Sequence, residues 1–264
     1  LHAGLLERNV DERRGAISRD CADAVGKRDE GGAMLQLLTR GLEFCQRGVK
    51  RRLLLCELCT LRIELERHGV DLELVEGADV HLDVGLLDGI REGRVPTLAG
   101  SRYLLLEPPH HVAPPRFEES VFQLMVGGVV PVITHPERLT WIEGQYDVFK
   151  RLVKGGAGMQ RTAGSITGRF GKRPQYWAQR MLDERLVHIL ATDAHHPRRR
   201  PPLLAEGREA AAKRLGDLEA THLVITRPQG IVDNLEPGAL PALPAAVEGI
   251  AETPPFWRRW LGKA

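Results

Sequence analysis

Four residues of metal-ligating type stand at the ends of short apolar runs: Asp79 in GADVHL, Glu107 in YLLLEPP, His135 in PVITHPER and Asp193 in ILATDAHH. Carboxylates and imidazoles without cysteine suit hard or borderline divalent ions such as Mn²⁺, Mg²⁺, Fe²⁺ or Zn²⁺. The chemistry this suggests is metal-assisted hydrolysis. Glu107 closes a wholly apolar run directly before two prolines, an unexpected place for a carboxylate that is merely solvated, and its position suits a carboxylate bridging two ions. His135 ends its run in the same way before Pro136, which stops the strand. Asp193 and His195 alternate on one extended segment and so face the same side, whereas His196 faces away. His110 and His111 sit in a proline-flanked loop beside Glu107, where they line the mouth of the site but are not counted among its ligands.

Phosphate calls for positive, forked donors. Arg138 lies three residues past His135 and Arg200 seven past Asp193, so both loops return a guanidinium toward the same mouth, while Arg198 and Arg199 are read as solvated. The glycine-rich loop 164–171, followed by Lys172, could close over an anion with its backbone N–H groups, or serve only as a turn before a helix.

Positioning these groups needs strands that end together. Apolar runs predict strands at 72–75, 103–106, 129–134, 187–191 and 222–225, with a weak strand at 158–162. Helical patterns fall between and around them, at 61–68, 85–92, 117–126, 147–154, 174–184 and 203–215. Near-continuous apolar strands separated by helices imply a parallel sheet covered on its outside. In a β/α barrel the C-terminal strand ends meet at one mouth, so ligands distant in sequence converge there. Residues 1–60, dense in arginine, aspartate and glycine, show no clear strand. The expectation is one barrel domain over 1–235 and a mobile proline-rich tail over 236–264 that carries an incidental apolar patch in PFWRRWLGKA, the alternative being that it docks onto a partner or an anionic surface.

A chain of 264 residues with 42% hydrophobic content can bury a full core in one domain. A net charge of +2 is too small to imply a nucleic-acid or membrane partner by bulk electrostatics. No run approaches the roughly 20 apolar residues that span a bilayer, and without a signal-like start the cytoplasm is the default expectation. Cys21, Cys45, Cys56 and Cys59 all lie in the first quarter of the chain, which argues against a disulfide scaffold. The Cys56–Cys59 pair sits in an apolar helical run and reads as two small core residues. Cys45 and Cys56 are each followed six positions later by an arginine, but neither has the strand and glycine-rich cradle that a thiolate phosphatase needs.

The strings GADVHL, SRYLLLEPP, VITHPER, AGSITGRFGKR and ATDAHHPRRRPPLL resemble those of the bacterial tyrosine-protein phosphatases of the PHP superfamily associated with capsule and exopolysaccharide assembly, over residues 61–234. The resemblance implies a distorted (β/α)7 barrel, up to three divalent ions with Mn²⁺ foremost, and hydrolysis of phosphotyrosine on the tail of a cognate kinase that controls polysaccharide export. It implies ligand roles for His2, Asp79, Glu107, His135, Asp193 and His195, and phosphate-binding roles for Arg138 and Arg200. The front end departs from the pattern: Gly4 stands where a second histidine is expected after His2, Asp11 is the nearest match for an aspartate, and no histidine occurs in 35–52. Two other functions fit the same residues: a catalytically impaired relic that binds phosphotyrosine tails, and another phosphoesterase of the superfamily such as a histidinol-phosphate phosphatase. Replacing all four cysteines by serine is expected to leave phosphatase activity largely intact; complete loss would point back to a thiolate mechanism.

Overall fold

The computed structural model describes residues 62–63, 65–195 and 199–244. Five parallel strands form one sheet in chain order: β1 (Asp79–His81), β2 (Tyr103–Glu107), β3 (Val130–Ile133), β4 (Gly158–Thr162) and β5 (Ile189–Ala191). Between successive strands run α1 (Leu86–Arg91), α2 (Phe117–Val126), α3 (Tyr146–Gly155), and the pair α4 (Ala163–Ile166) and α5 (Lys172–Asp183). After β5 come α6 (Leu204–Leu215), α7 (Asp217–Thr221), a π-helical stretch His222–Thr226, and α8 (Arg227–Val232).

Strand parity divides the sheet into two faces, because successive side chains point to opposite sides. On β2, Leu104 and Leu106 enter the larger core, which also holds Phe117 and Val121 of α2, Phe149 of α3 and Met181 of α5. Tyr103 and Leu105 enter a smaller cluster with Leu98, Val132, Ile189 and Ile231. Both faces are covered, which explains why β2, β3 and β5 carry near-continuous apolar runs rather than alternating ones. Glu107 therefore shares the smaller cluster's face at the C-terminal end of β2. Because Asp79 is in register with Leu105 and His81 with Glu107, β1 presents both polar residues on that face, with Val80 in the larger core.

Two expected strands take other forms. Residues 72–75 form no strand; Leu74 packs instead against Leu65, and its carbonyl accepts a hydrogen bond from Arg62 Nη2 at 2.6 Å. Asp79 thus opens a strand of its own instead of following one. Residues 222–225 are π-helical despite their β-branched content. A buried pair spans that stretch: Arg227 Nη1 and Nη2 donate to Glu219 Oε1 and Oε2 at 2.7 and 3.1 Å, tying α7 to α8. Arg227 also donates to the carbonyls of Pro241 and Ala242, while Leu240 packs on the smaller cluster. The start of the expected tail, residues 236–244, is therefore docked rather than loose. The rest of the tail lies outside the described residues.

His188 fastens β4 to β5. Its N–H donates to Met159 O at 2.9 Å, and its ring Nδ1 accepts from Met159 N at 3.1 Å, which requires an unprotonated Nδ1. Burial, helped by the charges of Arg227 and Arg161, pushes the ring down to about 3.

Removing the carboxylate in Glu219→Ala leaves the Arg227 guanidinium buried and unpaired, and should lower stability in urea denaturation by about 3–5 kcal/mol. His188 supplies a pH test. The unfolded ring takes up a proton below about 6.5, whereas the folded ring resists until about 3. Stability from this group is thus present above pH about 6.5 and falls as the pH drops toward about 3. The stability gap between the unmodified chain and His188→Gln should narrow between about pH 7 and pH 4; a constant gap would show that the ring is not held neutral.

Candidate metal and phosphate site

Around His135 the polar residues of β1, Asp79 at its start and His81 at its end, meet those at the C-terminal ends of β2 and β3. The chain leaves β3 at Ile133, and Thr134 N still bonds to Leu106 O at 3.0 Å. His135 then turns into the left-handed region at φ 32°, an uncommon conformation for a residue with a side chain. Its N–H is held by Gln160 Oε1 of β4 at 3.0 Å. The turn brings His135 Nε2 to 3.5 Å from Asp79 Oδ2 and 3.4 Å from Glu107 Oε1. Thr134 Oγ1 donates to Asp79 Oδ1 at 3.0 Å, so both oxygens of Asp79 are engaged. His110 Nε2 lies 3.2 Å from the same Glu107 Oε1, and His81 Nδ1 lies 3.5 Å from Oε2. Glu107, His110 and His135 bring one donor atom each within 4.8 Å of one another.

These neighbours fix the charges. Burial pushes the Glu107 carboxyl up, but the hydrogen bond from His110 and the charges of His135, His81 and His110 outweigh it and hold the group below its ordinary value. Burial likewise pushes His135 down; the hydrogen bond and charge of Asp79, with help from Asp193, overcome both that and Arg138, and the ring ends above its ordinary value. An ionised carboxylate beside a His135 ring that holds its proton readily is an arrangement in which a divalent cation can replace that proton. The donor chemistry fits such an ion, and His135 Nδ1 is buried without a hydrogen-bond partner among the described residues.

Beside this cluster, two arginines meet on one carboxylate. Arg138 ends the 3₁₀ turn Pro136–Arg138, and its Nη1 donates to Asp193 Oδ2 at 2.6 Å. Arg200 Nη2 donates to the same oxygen, and both guanidinium groups lie over the Phe170 ring, at 5.2 and 5.6 Å. Two cations on one anion leave a positive charge unspent. Arg200 Nε is in addition buried with no partner among the described residues. Burial, reinforced by Arg138, pulls Arg200 down from its ordinary value against the opposing charges of Asp193 and Glu107. Phe170 owes its place to Gly164, where an added Cβ would come within 2.8 Å of the ring.

The structure thus brings Asp79, Glu107 and His135 into direct contact and sets Arg138, Arg200 and Asp193 next to them. The segment after β5 is not extended as the alternation argument required. Asp193 adopts φ 52°, and the His195 ring folds back so that Nδ1 donates to the Asp193 carbonyl at 2.8 Å. That hydrogen bond fixes the tautomer and leaves Nε2 as the acceptor, the usual preparation of a metal-ligating histidine. Part of the expected loop at 164–171 is the short helix α4, so its use as a backbone anion cradle has no direct support. His2, Gly4, Asp11, the four cysteines, His196 and Arg198 lie outside the described residues. The sequence reading missed His81, although the Asp79–His81 spacing offers the same alternation that was applied to Asp193 and His195. It also left Phe170 unremarked; nothing in the spacing marks that ring.

The chain is similar to several known proteins. CapC of Staphylococcus aureus is 32% identical over 57% of this chain and 59% of its own length. The tyrosine-protein phosphatase YwqE of Bacillus subtilis is 29% identical over 53% and 55%, and the tyrosine-protein phosphatase CpsB of Streptococcus pneumoniae 27% identical over 61% and 69%. The chain thus spans less than two thirds of the length of CapC and YwqE. Crystal structures of YwqE and CpsB, described as metal-dependent tyrosine phosphatases, include a chain that matches with TM-score 0.64 and 26% identity over 68% of this chain and 72% of that one. The family model for capsular polysaccharide synthesis, CpsB/CapC, matches residues 45–233, well over half of the chain, and the protein belongs to that family.

Proposed function

We propose that the protein is a metal-dependent protein-tyrosine phosphatase. The observation that carries this reading is the convergence of Arg138 and Arg200 on a single carboxylate oxygen beside the Glu107–His110–His135 donors. A phosphate dianion offers more acceptor oxygens than Asp193 and can accept forked hydrogen bonds from both guanidinium groups. Asp79, Glu107, His135, Asp193 and His195 would hold the ions, with His2 joining them by resemblance. When bound, divalent ions supply an activated water and neutralise charge on the phosphoryl group. The arginines orient the phosphate, and Phe170 keeps the two guanidinium groups apart from bulk water.

The substrate we assign is the phosphorylated tyrosine-rich tail of a cognate bacterial tyrosine kinase that controls polysaccharide export, met in the cytoplasm, with Mn²⁺ as the working ion. We also read the sheet as part of a distorted (β/α)7 barrel. Parallel order, with Glu107, His135 and Asp193 at or just past the C-terminal ends of their strands, supports that architecture. Gly4, in place of a ligand, favours a second reading in which the chain binds phosphotyrosine but turns it over poorly.

With the full chain and a phosphotyrosine peptide, a chelator should stop hydrolysis and added Mn²⁺ should restore it; hydrolysis that survives chelation would sink the metal mechanism. Arg138→Ala and Arg200→Ala should each lower kcat/KM by about 10²-fold at unchanged metal content. Rates equal to the unmodified chain's would remove the arginines from the phosphate site. Tight peptide binding without turnover in metal-loaded protein would select the second reading.

A further inference from the structure

We infer that His110 is itself a metal ligand, joining Glu107 and His135 in a two-histidine, one-carboxylate set selective for a borderline transition ion such as Zn²⁺ or Fe²⁺ over Mg²⁺. The inference rests on the metal-dependent reading above and adds a residue that the resemblance does not assign. Two observations carry it. First, the donors already lie close together: Glu107 Oε1 is 3.2 Å from His110 Nε2 and 3.4 Å from His135 Nε2. For bonds of about 2.0–2.1 Å, neighbouring donors of a tetrahedral ion stand roughly 3.3–3.4 Å apart. Second, the His110 backbone is fixed independently of the cluster. Thr140 N and Oγ1 both donate to His110 O, at 3.0 and 3.1 Å, and Trp141 Nε1 donates to Pro109 O at 2.8 Å. The ring is therefore delivered to the site by contacts with a loop thirty residues away.

Two imidazoles and one carboxylate favour ions later in the divalent series, whereas Mg²⁺ prefers an all-oxygen shell. The competing explanation is that His110 only donates a hydrogen bond to Glu107 and shares a proton with it.

The test uses the full chain, stripped of metal, with Co²⁺ as an optical probe and Zn²⁺ followed by equilibrium dialysis. The unmodified chain should give a cobalt absorption band and bind Zn²⁺ far more tightly than Mg²⁺. His110→Ala should weaken Zn²⁺ binding by at least the roughly 10–100-fold that follows loss of even an outer-shell partner, and should alter the cobalt band. His110→Asn keeps a hydrogen-bond donor to Glu107 and guards against misfolding; it should lose the ion as His110→Ala does. If the unmodified chain binds the metal and both variants bind it equally well with the same cobalt band, His110 is no ligand and the phosphatase reading stands. If the unmodified chain binds neither ion, the metal-dependent reading falls, and this inference with it.

Discussion

A buried ion pair between Glu137 and Arg161 is the constraint on which the site depends. Neither side chain has exposed surface, and Arg161 Nε stands 3.7 Å from Glu137 Oε2. Glu137 Oε1 accepts from Thr162 N at 3.0 Å, and Arg161 Nη1 donates to Gln160 O at 2.8 Å, with Nη2 on Met181 Sδ. Burial lowers Arg161 to about 10 against the opposing charge of Glu137, which still leaves it cationic at neutral pH. Desolvating both groups is expensive, so the pair is weak evidence of stabilisation; its value lies in the geometry it enforces. Glu137 sits between His135 and Arg138 in one tight turn. With Gln160 holding His135 N as well, β4 clamps that turn at two points. A single anchored turn thus sets the distance between the metal-type cluster and the arginine pair.

The legible parts of the fold were those where a local pattern and the tertiary structure agree. The strands β2, β3 and β5 stand out because their runs are apolar and end sharply, whereas β4, with Gln160, Arg161 and Thr162 in five residues, reads only as a weak strand. The strand β1 did not, because it is three residues long and the neighbouring 72–75 imitates a strand while packing on Leu65. Residues 222–225 have strand composition, but Glu219 and Arg227, eight positions apart, override it through a contact that no short sequence window contains. In the site, Glu107 and His135 could be read because each interrupts an apolar run. His110 could not be ranked: its place is decided by Thr140 and Trp141, and proximity to Glu107 in sequence says nothing of that. The expected front-end ligands lie outside the described residues.

His135 and Asp193 share an uncommon backbone state, each with positive φ two residues beyond the end of its strand. Such conformations are mildly strained and persist where surrounding contacts determine them. Here the contacts are the Gln160 hydrogen bond for His135 and the arginine pair for Asp193. Each bend reverses the chain, and the next arginine used by the site follows three residues later in one loop and seven in the other. The two strand exits are variants of one solution, a bend that presents an acceptor or ligand and then returns a cation beside it.

The division of the sheet into two faces has a consequence for how this protein can change over time. Leu104, Leu106 and Met159 belong to the larger core, whereas Asp79, Glu107 and Gln160 occupy alternate positions on the same strands, facing the other way. Drift in helix packing can therefore be absorbed on one face while the reactive groups on the other keep their register. Conversely, a slip of one residue in any strand would exchange the two sets at once, placing carboxylates in the oily layer and leucines at the site. Side-chain identity on either face is free to evolve separately; strand length and register are not.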